Sequence, residues 1–172
     1  MMSKTSLQML TFRMTRILGI DPGSRIMGFG VIDIANNKEA YIASGCIKLD
    51  TNLEFIERIG QILPAVETII VKHQPTAMVI EQVFLAKNAN SALKLGHARG
   101  IAIAAAHKSA LAIFEYSARA IKQAVVGTGA ANKDQVGFMV QQRLSLASRP
   151  QVDAADALAV ALTHAQSILE TT

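Results

Sequence analysis

The stretch Arg16-Ile17-Leu18-Gly19-Ile20-Asp21-Pro22-Gly23-Ser24 joins a short apolar run to a strong turn sequence. In the turn, Pro22 presets its own backbone φ angle and Gly23 readily accepts a positive one. The apolar residues before the turn predict a buried strand over Arg16–Ile20. The carboxyl group of Asp21 therefore emerges where this first strand ends, at the rim of a sheet.

Two more strands follow the turn after short links. Alternating apolar residues predict the second strand over Met27–Ile34, and Asn36-Asn37 is a typical hairpin turn. A third strand is predicted over Glu39–Leu49. Because the links are short, we expect these three strands to form an antiparallel meander.

The rest of the chain alternates between helical and strand patterns. Apolar residues at three- and four-residue steps predict a helix over Leu53–Val71, and Pro64 predicts a bend or break near Gly60–Pro64. The later predicted elements are, in order, a strand at Thr76–Ile80, a helix at Ala89–His107, a strand at Leu111–Phe114, and helices at Ser117–Val125, Lys133–Leu146 and Val152–Ile168. Strands joined through helices pair in parallel, so we expect an α/β fold with a mixed five-stranded sheet between helices. The first and fourth strands can then lie side by side.

The composition is typical of one folded domain. Of the 172 residues, 51% are apolar and 17% are charged, which excludes overall disorder. The single cysteine, Cys46, excludes an internal disulfide and a cysteine-rich zinc site, and it fits a reducing cytoplasm. No apolar run approaches the roughly 20 residues of a membrane helix. We expect one domain over residues 16–172 and a flexible extension over residues 1–15, with Met14 as a possible start and a transit peptide as the alternative.

Four acidic residues stand at the ends of predicted elements. Asp21 follows the first strand and Glu81 the fourth, while Asp153 and Asp156 share one face at the start of the last helix. Each alone has an ordinary interpretation, as a turn residue, a solvated strand end or a complement to the helix dipole. The segment 151–163 carries no other charge, however, so this helix should pack on the sheet and bring its acids to the edge of the core. Isolated carboxylates there would cost several kcal/mol.

A divalent cation would remove that cost. Ligands that are all oxygen suit Mg²⁺ or Mn²⁺, and two such ions can stabilise both the attacking and the leaving oxygen of a phosphoryl displacement. The chain has 17 basic and 13 acidic residues, and setting the four candidates aside leaves nine acids. A basic protein with an acidic pit is the profile expected of a nuclease.

Several motifs follow one another in order along the chain. They are Ile17–Arg25 with Gly28–Val31, Ile80–Phe84 with Ala86–Asn88 and Ser91–Gly96, Phe114–Tyr116, Lys122-Gln123, Val126–Gly129 with Lys133, and Asp153–Ala159. Together they resemble the bacterial RuvC-type Holliday junction resolvases over about residues 16–166. The resemblance implies a ribonuclease H-like fold, a homodimer, and Mg²⁺-dependent symmetric nicking of four-way DNA junctions in recombination and repair.

The same resemblance assigns roles. It implies that Asp21, Glu81, Asp153 and Asp156 are the catalytic metal ligands, for two Mg²⁺ ions per subunit that Mn²⁺ can replace. It implies products with 5′-phosphate and 3′-hydroxyl ends, a cytoplasmic location in a bacterium, and the RuvAB branch-migration complex as a partner.

The candidates for DNA contact outside the acidic pit are Phe84, Lys87, Arg99, Lys122 and Lys133. Phe84 is a core residue in one interpretation. In the other, which follows from the resemblance, it stacks on bases near the crossover, and such stacking contributes about 1–3 kcal/mol per base. Lys133 begins a helix where backbone amides favour anions, and the resemblance places it and Lys122 near the catalytic centre. For Lys87 and Arg99 the alternative is a solvated surface charge.

Other interpretations stay open from the sequence. An Asp-x-Gly turn before a hairpin also occurs in actin-like ATPases, which suggests a nucleotide phosphotransferase, although that fold needs two such domains. A non-catalytic DNA-binding scaffold would not need the four acids. Gly96 and Gly100 either pack on the sheet or approach a twin helix in a dimer. The four histidines show no ligand spacing, and we interpret them as structural or surface residues.

Overall fold

The computed structural model describes residues 15–83 and 88–171 and places five strands in one sheet, in the order β3-β2-β1-β4-β5. The strands are β1 Thr15–Asp21, β2 Ile26–Ala35, β3 Lys38–Lys48, β4 Ala77–Glu81 and β5 Ala112–Tyr116. The helices are α1 Phe55–Gly60, α2 Ile62–His73, α3 Ala89–Lys108, α4 Ala118–Val126, α5 Lys133–Arg143 and α6 Val152–Thr171. The predicted α/β class and mixed five-stranded sheet are confirmed. Of the extension predicted over residues 1–15, only Thr15 lies within the described residues, and it begins β1.

The pairing of β1 determines where the first two acids lie. β1 runs antiparallel to β2 and parallel to β4, with Ile20 opposite both Phe29 and Ile80. Parallel neighbours end at the same edge of a sheet. Asp21 and Glu81, the last residues of β1 and β4, therefore emerge next to each other, as the sequence predicted.

The predicted helix break is present. The helical segment divides at Gln61, so that Pro64 falls in the first turn of α2, where its missing amide hydrogen leaves no helical bond unmade. The predicted hairpin turn is present too, and Asn36 and Asn37 adopt left-handed φ angles of 53° and 58°. The hairpin turn joins β2 to β3, and residues of α1 and α2 pack in one core on the same face of the sheet.

Each face of the sheet carries its own hydrophobic core. Along β1, Ile17 points into the core formed with α4, α5 and α6, while Leu18 and Ile20 point into the core formed with α1, α2 and α3. Both cores are built mainly from aliphatic side chains, as the low aromatic content of 5% predicts. Within the described ranges, no helix has the length and apolarity that a membrane crossing would need.

α6 lies on β1 and β2 at a distance that only glycine permits. A Cβ atom added to Gly19 would lie 2.1 Å from the carbonyl oxygen of Ala157, and one added to Gly28 would lie 1.9 Å from that of Asp153. Real Cβ contacts are never that short, so the helix backbone rests directly on the sheet backbone. This close contact fixes the start of α6, and with it Asp153 and Asp156, against the end of β1.

Candidate active site

Three of the four predicted acids line one cavity. Asp21, Glu81 and Asp156 surround a space of about 250 Å³, together with Lys122 on α4 and Lys133 on α5. Five different elements thus contribute charged groups to a single cavity. The sequence-predicted convergence of these side chains is present, and both lysines predicted to lie near the centre are there as well.

Asp153 lies beside this group, on the side of β2. Its carbonyl oxygen lies against Gly28, and its carboxylate charge is close enough to raise the pKa of Asp21. Asp153 and Asp156 therefore both lie near Asp21 in the first turns of α6, as their three-residue spacing predicts.

Two of the acids, Asp21 and Glu81, have raised pKa values. Burial is the main reason why the pKa of Asp21 rises to about 7, followed by the negative charges of Asp156, Glu81 and Asp153. Burial and then Asp156 also raise the pKa of Glu81. The nearby ammonium group of Lys133 opposes both shifts. The site is thus short of positive charge, and a bound cation would relieve the repulsion.

Lys133 supplies part of the missing charge. Its ammonium group donates a hydrogen bond to Oδ2 of Asp156 at 2.9 Å, and this bond is the main reason why the pKa of Lys133 is raised. The start of α5 is fixed by a capping box in which the side chains of Asn132 and Gln135 bond to each other's backbone amides. Lys122 lines the same cavity, and its charge opposes the rise in the pKa of Glu81.

The donor chemistry of the site fits a hard divalent cation, although the side chains are not closed around one. Only oxygen donors are offered by the carboxylates of Asp21, Glu81, Asp153 and Asp156. A bound cation would reduce the electrostatic repulsion between Asp21 and the other three. In residues 15–83 and 88–171, no group of three or more His, Cys, Asp or Glu side chains has the arrangement of a formed metal site. Cation binding would therefore require these side chains to move closer together, and the cation would compete with Lys133 for the carboxylate of Asp156.

A second cavity adjoins the first. It measures about 340 Å³ and is again lined by Asp21 and Glu81, now with Pro22, Val83 and Leu95 among its other walls. Val83 is the last residue described before position 88. Phe84 and Lys87 themselves lie outside the described residues, and their proposed DNA contacts stay predictions.

Arg99 occupies a different position from the two lysines. Its Nε donates a hydrogen bond to the backbone carbonyl oxygen of Glu81 at 3.1 Å, and its Nη2 is paired with Glu115 on β5. The guanidinium group thus contacts the end of β4 through Nε and β5 through Nη2. Its predicted DNA contact stays a prediction.

Sequence reasoning missed Cys46 as a neighbour of the site. Cys46 pairs with Gly28 across β2 and β3, which places its thiol near the start of α6. Burial and then the charge of Asp153 raise the pKa of this thiol. The hairpin register between the two strands was the only signal in the sequence that could have placed it there.

The structure resolves two open interpretations. His164 is only 6% exposed, stacks on Phe114 and has Nδ1 at 2.9 Å from the hydroxyl of Tyr116, so it is structural as predicted. A Cβ atom added to Gly96 or Gly100 would have no atom within 4 Å, so the interpretation that these glycines pack on the sheet is wrong. Their face of α3 points away from the sheet.

Comparisons with known proteins agree with this geometry. The family model for the crossover junction endodeoxyribonuclease RuvC matches residues 17–164. The RuvC protein of Vibrio cholerae is 58% identical over 154 residues, which covers 90% of this chain and 88% of that protein. The RuvC protein of Pseudomonas putida is 54% identical with the same coverage.

Solved structures give the same result. The RuvC structure from Thermus thermophilus superimposes with a TM-score of 0.83 at 31% identity, covering 92% of this chain and 98% of that one. The same protein in complex with a Holliday junction substrate gives a TM-score of 0.84 at 32% identity, covering 92% of this chain and 97% of that one. The yeast mitochondrial Holliday junction resolvase Ydc2, at 15% identity and a TM-score of 0.68, shares the fold.

Proposed function

Because the chain belongs to the RuvC family of crossover junction endodeoxyribonucleases, we propose that it resolves Holliday junctions by nicking two strands of four-way DNA symmetrically. The observation that supports this most is the convergence of Asp21, Glu81 and Asp156 on one cavity beside Lys122 and Lys133. A phosphodiester can be cut there because acidic groups for a cation and basic groups for a phosphate lie together. The products would carry 5′-phosphate and 3′-hydroxyl ends.

The acids would hold the catalytic cation. Asp21, Glu81, Asp153 and Asp156 are the residues that would bind Mg²⁺, in a pair of sites that Mn²⁺ can also fill. When bound, the metal would activate water for attack on the phosphorus and stabilise the oxygen that leaves. The protein's contribution is to bring four carboxylates from three elements to one end of the sheet, where side-chain movements can close them around a cation.

The two lysines would bind the phosphate. Lys133 pairs with Asp156 at 2.9 Å and its side chain is 74% exposed, so it can exchange this partner for a phosphate oxygen. Lys122 lines the same cavity from α4. Both ammonium groups would steady the scissile phosphate and the negative charge that develops on it. DNA binding and release of Asp156 by Lys133 would then occur together.

The face of α3 that carries Gly96 and Gly100 would form a homodimer. Both glycines are open to an approaching helix, and a two-fold dimer suits a substrate with two strands to cut. The partners would further include the RuvAB branch-migration complex, and the location would be the cytoplasm of a bacterium, since the relatives come from bacteria such as Vibrio cholerae and Pseudomonas putida.

A cleavage assay tests the proposal. A labelled four-way junction and a linear duplex of matched sequence are each incubated with the protein, with and without Mg²⁺. We expect paired nicks in the junction only, only with Mg²⁺, and products that a ligase can seal. The Asp21→Asn variant should bind the junction and leave it uncut. Binding without cutting by the unaltered protein, with either Mg²⁺ or Mn²⁺, would instead indicate a DNA-binding scaffold.

A further inference from the structure

The peptide unit that follows Glu81 is held at both of its polar groups from outside β4. Its carbonyl oxygen accepts the hydrogen bond from Nε of Arg99 at 3.1 Å. Its N–H, which belongs to Gln82, donates to the carbonyl oxygen of Tyr116 at 2.9 Å. Arg99 lies on α3 and Tyr116 ends β5, so three elements meet at this peptide unit. Its carbonyl carbon is bonded directly to the Cα atom that carries the Glu81 side chain.

The other end of the Arg99 guanidinium group is fixed as well. Its Nη2 forms an ion pair with Glu115, which is opposite Ile80 in the parallel register of β4 and β5. The Arg99 side chain is only 19% exposed. Its charge is thus compensated by Glu115, whereas Lys122 and Lys133 face the acidic cavity. This is a poor arrangement for a phosphate contact, the role that the sequence predicted for Arg99.

We propose that Arg99 is a positioning residue for Glu81, which fixes the end of β4 so that the Glu81 carboxylate points at the cation site. The inference rests on the proposed function, because it assigns Glu81 to metal binding. A planar guanidinium group presents donors to the carbonyl and to Glu115 in one rigid geometry, whereas an ammonium group is a compact charge on a flexible stem. Misplacing a reacting group by about 1 Å can slow an enzyme about 100-fold.

Three variants test this role. Arg99→Gln removes the guanidinium contacts with the Glu81 carbonyl oxygen and with Glu115. Arg99→Lys retains the positive charge without the planar guanidinium group, and Glu115→Gln removes only the negative charge that pairs with Arg99. For each we would measure junction affinity without divalent ions at several salt concentrations. We would also measure single-turnover cleavage of bound junction against Mg²⁺ concentration, and Mn²⁺ affinity without DNA by calorimetry.

We expect Arg99→Gln to bind the junction within twofold of the unaltered protein, with the same salt dependence. Cleavage of the bound junction should slow at least tenfold, and Mn²⁺ affinity should fall severalfold. Arg99→Lys should show the same defects, and Glu115→Gln smaller ones in the same direction. Lys108→Gln is the matched control, since it breaks another ion pair of α3, with Glu67 at 2.7 Å, at the end of the helix remote from Glu81. It should leave all three measurements unchanged.

Two results would overturn the inference. Arg99 is a phosphate contact if Arg99→Gln weakens junction binding and leaves cleavage of bound junction intact. In that case the slope of log affinity against log salt concentration should also fall in magnitude by about one. If Arg99→Gln and Arg99→Lys match the unaltered protein in cleavage and in Mn²⁺ affinity, Arg99 positions nothing. Thermal unfolding shows whether each variant folds. If Arg99→Gln does not fold, the cleavage rate and Mn²⁺ affinity of Arg99→Lys decide whether Arg99 positions Glu81. Failure of the unaltered protein to cut any junction would reject the proposed function instead, and Mn²⁺ affinity would still test Arg99.

Discussion

The ammonium nitrogen of Lys133 lies 2.9 Å from Oδ2 of Asp156, inside the group of acids proposed to bind a divalent cation. This lysine is therefore a tethered counter-ion for the acids of the cavity. A cation that enters the site competes with it for Asp156, and a phosphate competes with Asp156 for the lysine. One ion pair thus links metal binding to substrate binding.

Replacing Lys133 should separate these two effects. We expect Lys133→Gln to bind Mn²⁺ more tightly in the absence of DNA, by up to about fivefold, because a solvent-exposed ion pair contributes about 0–1 kcal/mol. The same variant should cut the junction more slowly, since it lacks a group for the phosphate. Calorimetry with Mn²⁺ and single-turnover cleavage provide the two measurements. Lys72→Gln, on the remote helix α2, is the control, and weaker Mn²⁺ binding by Lys133→Gln would contradict the competition.

The raised pKa of Asp21, about 7, predicts a pH dependence of stability. Between pH 4 and 7 the folded protein keeps a proton that the unfolded chain loses, so unfolding becomes easier as the pH rises through this range. Asp21→Asn removes this fall in the unfolding free energy, because asparagine does not titrate. Without divalent ions, we expect the difference in unfolding free energy between the variant and the unaltered protein to be roughly 1–3 kcal/mol more favourable to the variant at pH 8 than at pH 5.

Urea unfolding at the two pH values measures this difference. Asp134→Asn is a suitable control, because that carboxylate is 91% exposed on α5 and lies outside the acidic cavity. It should shift stability equally at both pH values. A gain for Asp21→Asn that is the same at pH 5 and pH 8 would show that Asp21 is ionised throughout.

The contact between Gly28 and α6 predicts a joint effect on stability and cleavage. A methyl group at Gly28 would lie 1.9 Å from the carbonyl oxygen of Asp153, so Gly28→Ala must push the start of α6 away from the sheet. We expect a loss of roughly 1–3 kcal/mol in unfolding free energy. Cleavage of bound junction should fall about 100-fold or more, because Asp153 and Asp156 move with the helix.

Gly60→Ala provides the comparison for Gly28→Ala. Gly60 ends α1, and nothing lies within 4 Å of an added Cβ there. That change should stabilise the protein by about 0.5–1 kcal/mol and leave cleavage unchanged. Normal cleavage by a folded Gly28→Ala variant would show that α6 can shift without loss of function.

The open face of α3 predicts the oligomeric state. Gly96→Glu places a charge where a twin helix would approach, so we expect a dimer to become a monomer in sedimentation experiments and paired nicking to be lost. Val71→Glu changes an equally accessible position, 70% exposed on α2, and should leave the dimer intact. A Gly96→Glu variant that sediments as the unaltered protein does would exclude this face as the interface.

The sequence predicted the positions of the acids because each is marked by a local pattern. Asp21 is marked by the apolar run and turn around it, and Asp153 and Asp156 by an otherwise uncharged helix start. Likewise, the adjacency of β1 and β4 follows from the order of strands and helices. Local patterns determine which residues begin and end elements, and the chain topology then brings those ends together.

Contacts between side chains could not be predicted in this way. In the sequence, Arg99 is indistinguishable from other basic residues on helices. Its partners Glu81 and Glu115 are identified only from the packing of α3 against β4 and β5. Gly28 likewise reads as a strand residue, although its role is to admit the backbone of α6. Such contacts depend on the distance and tilt between elements, which hydrophobic periodicity does not specify.

The burial of α6 affects how mutational data on this protein should be interpreted. From Ala154 to Ala165 the helix carries eleven buried residues, and its first turns carry Asp153 and Asp156. A genetic screen for loss of function will therefore recover many substitutions along this helix that remove activity by lowering the amount of folded protein. Only a variant with normal abundance and normal heat resistance identifies a catalytic defect there.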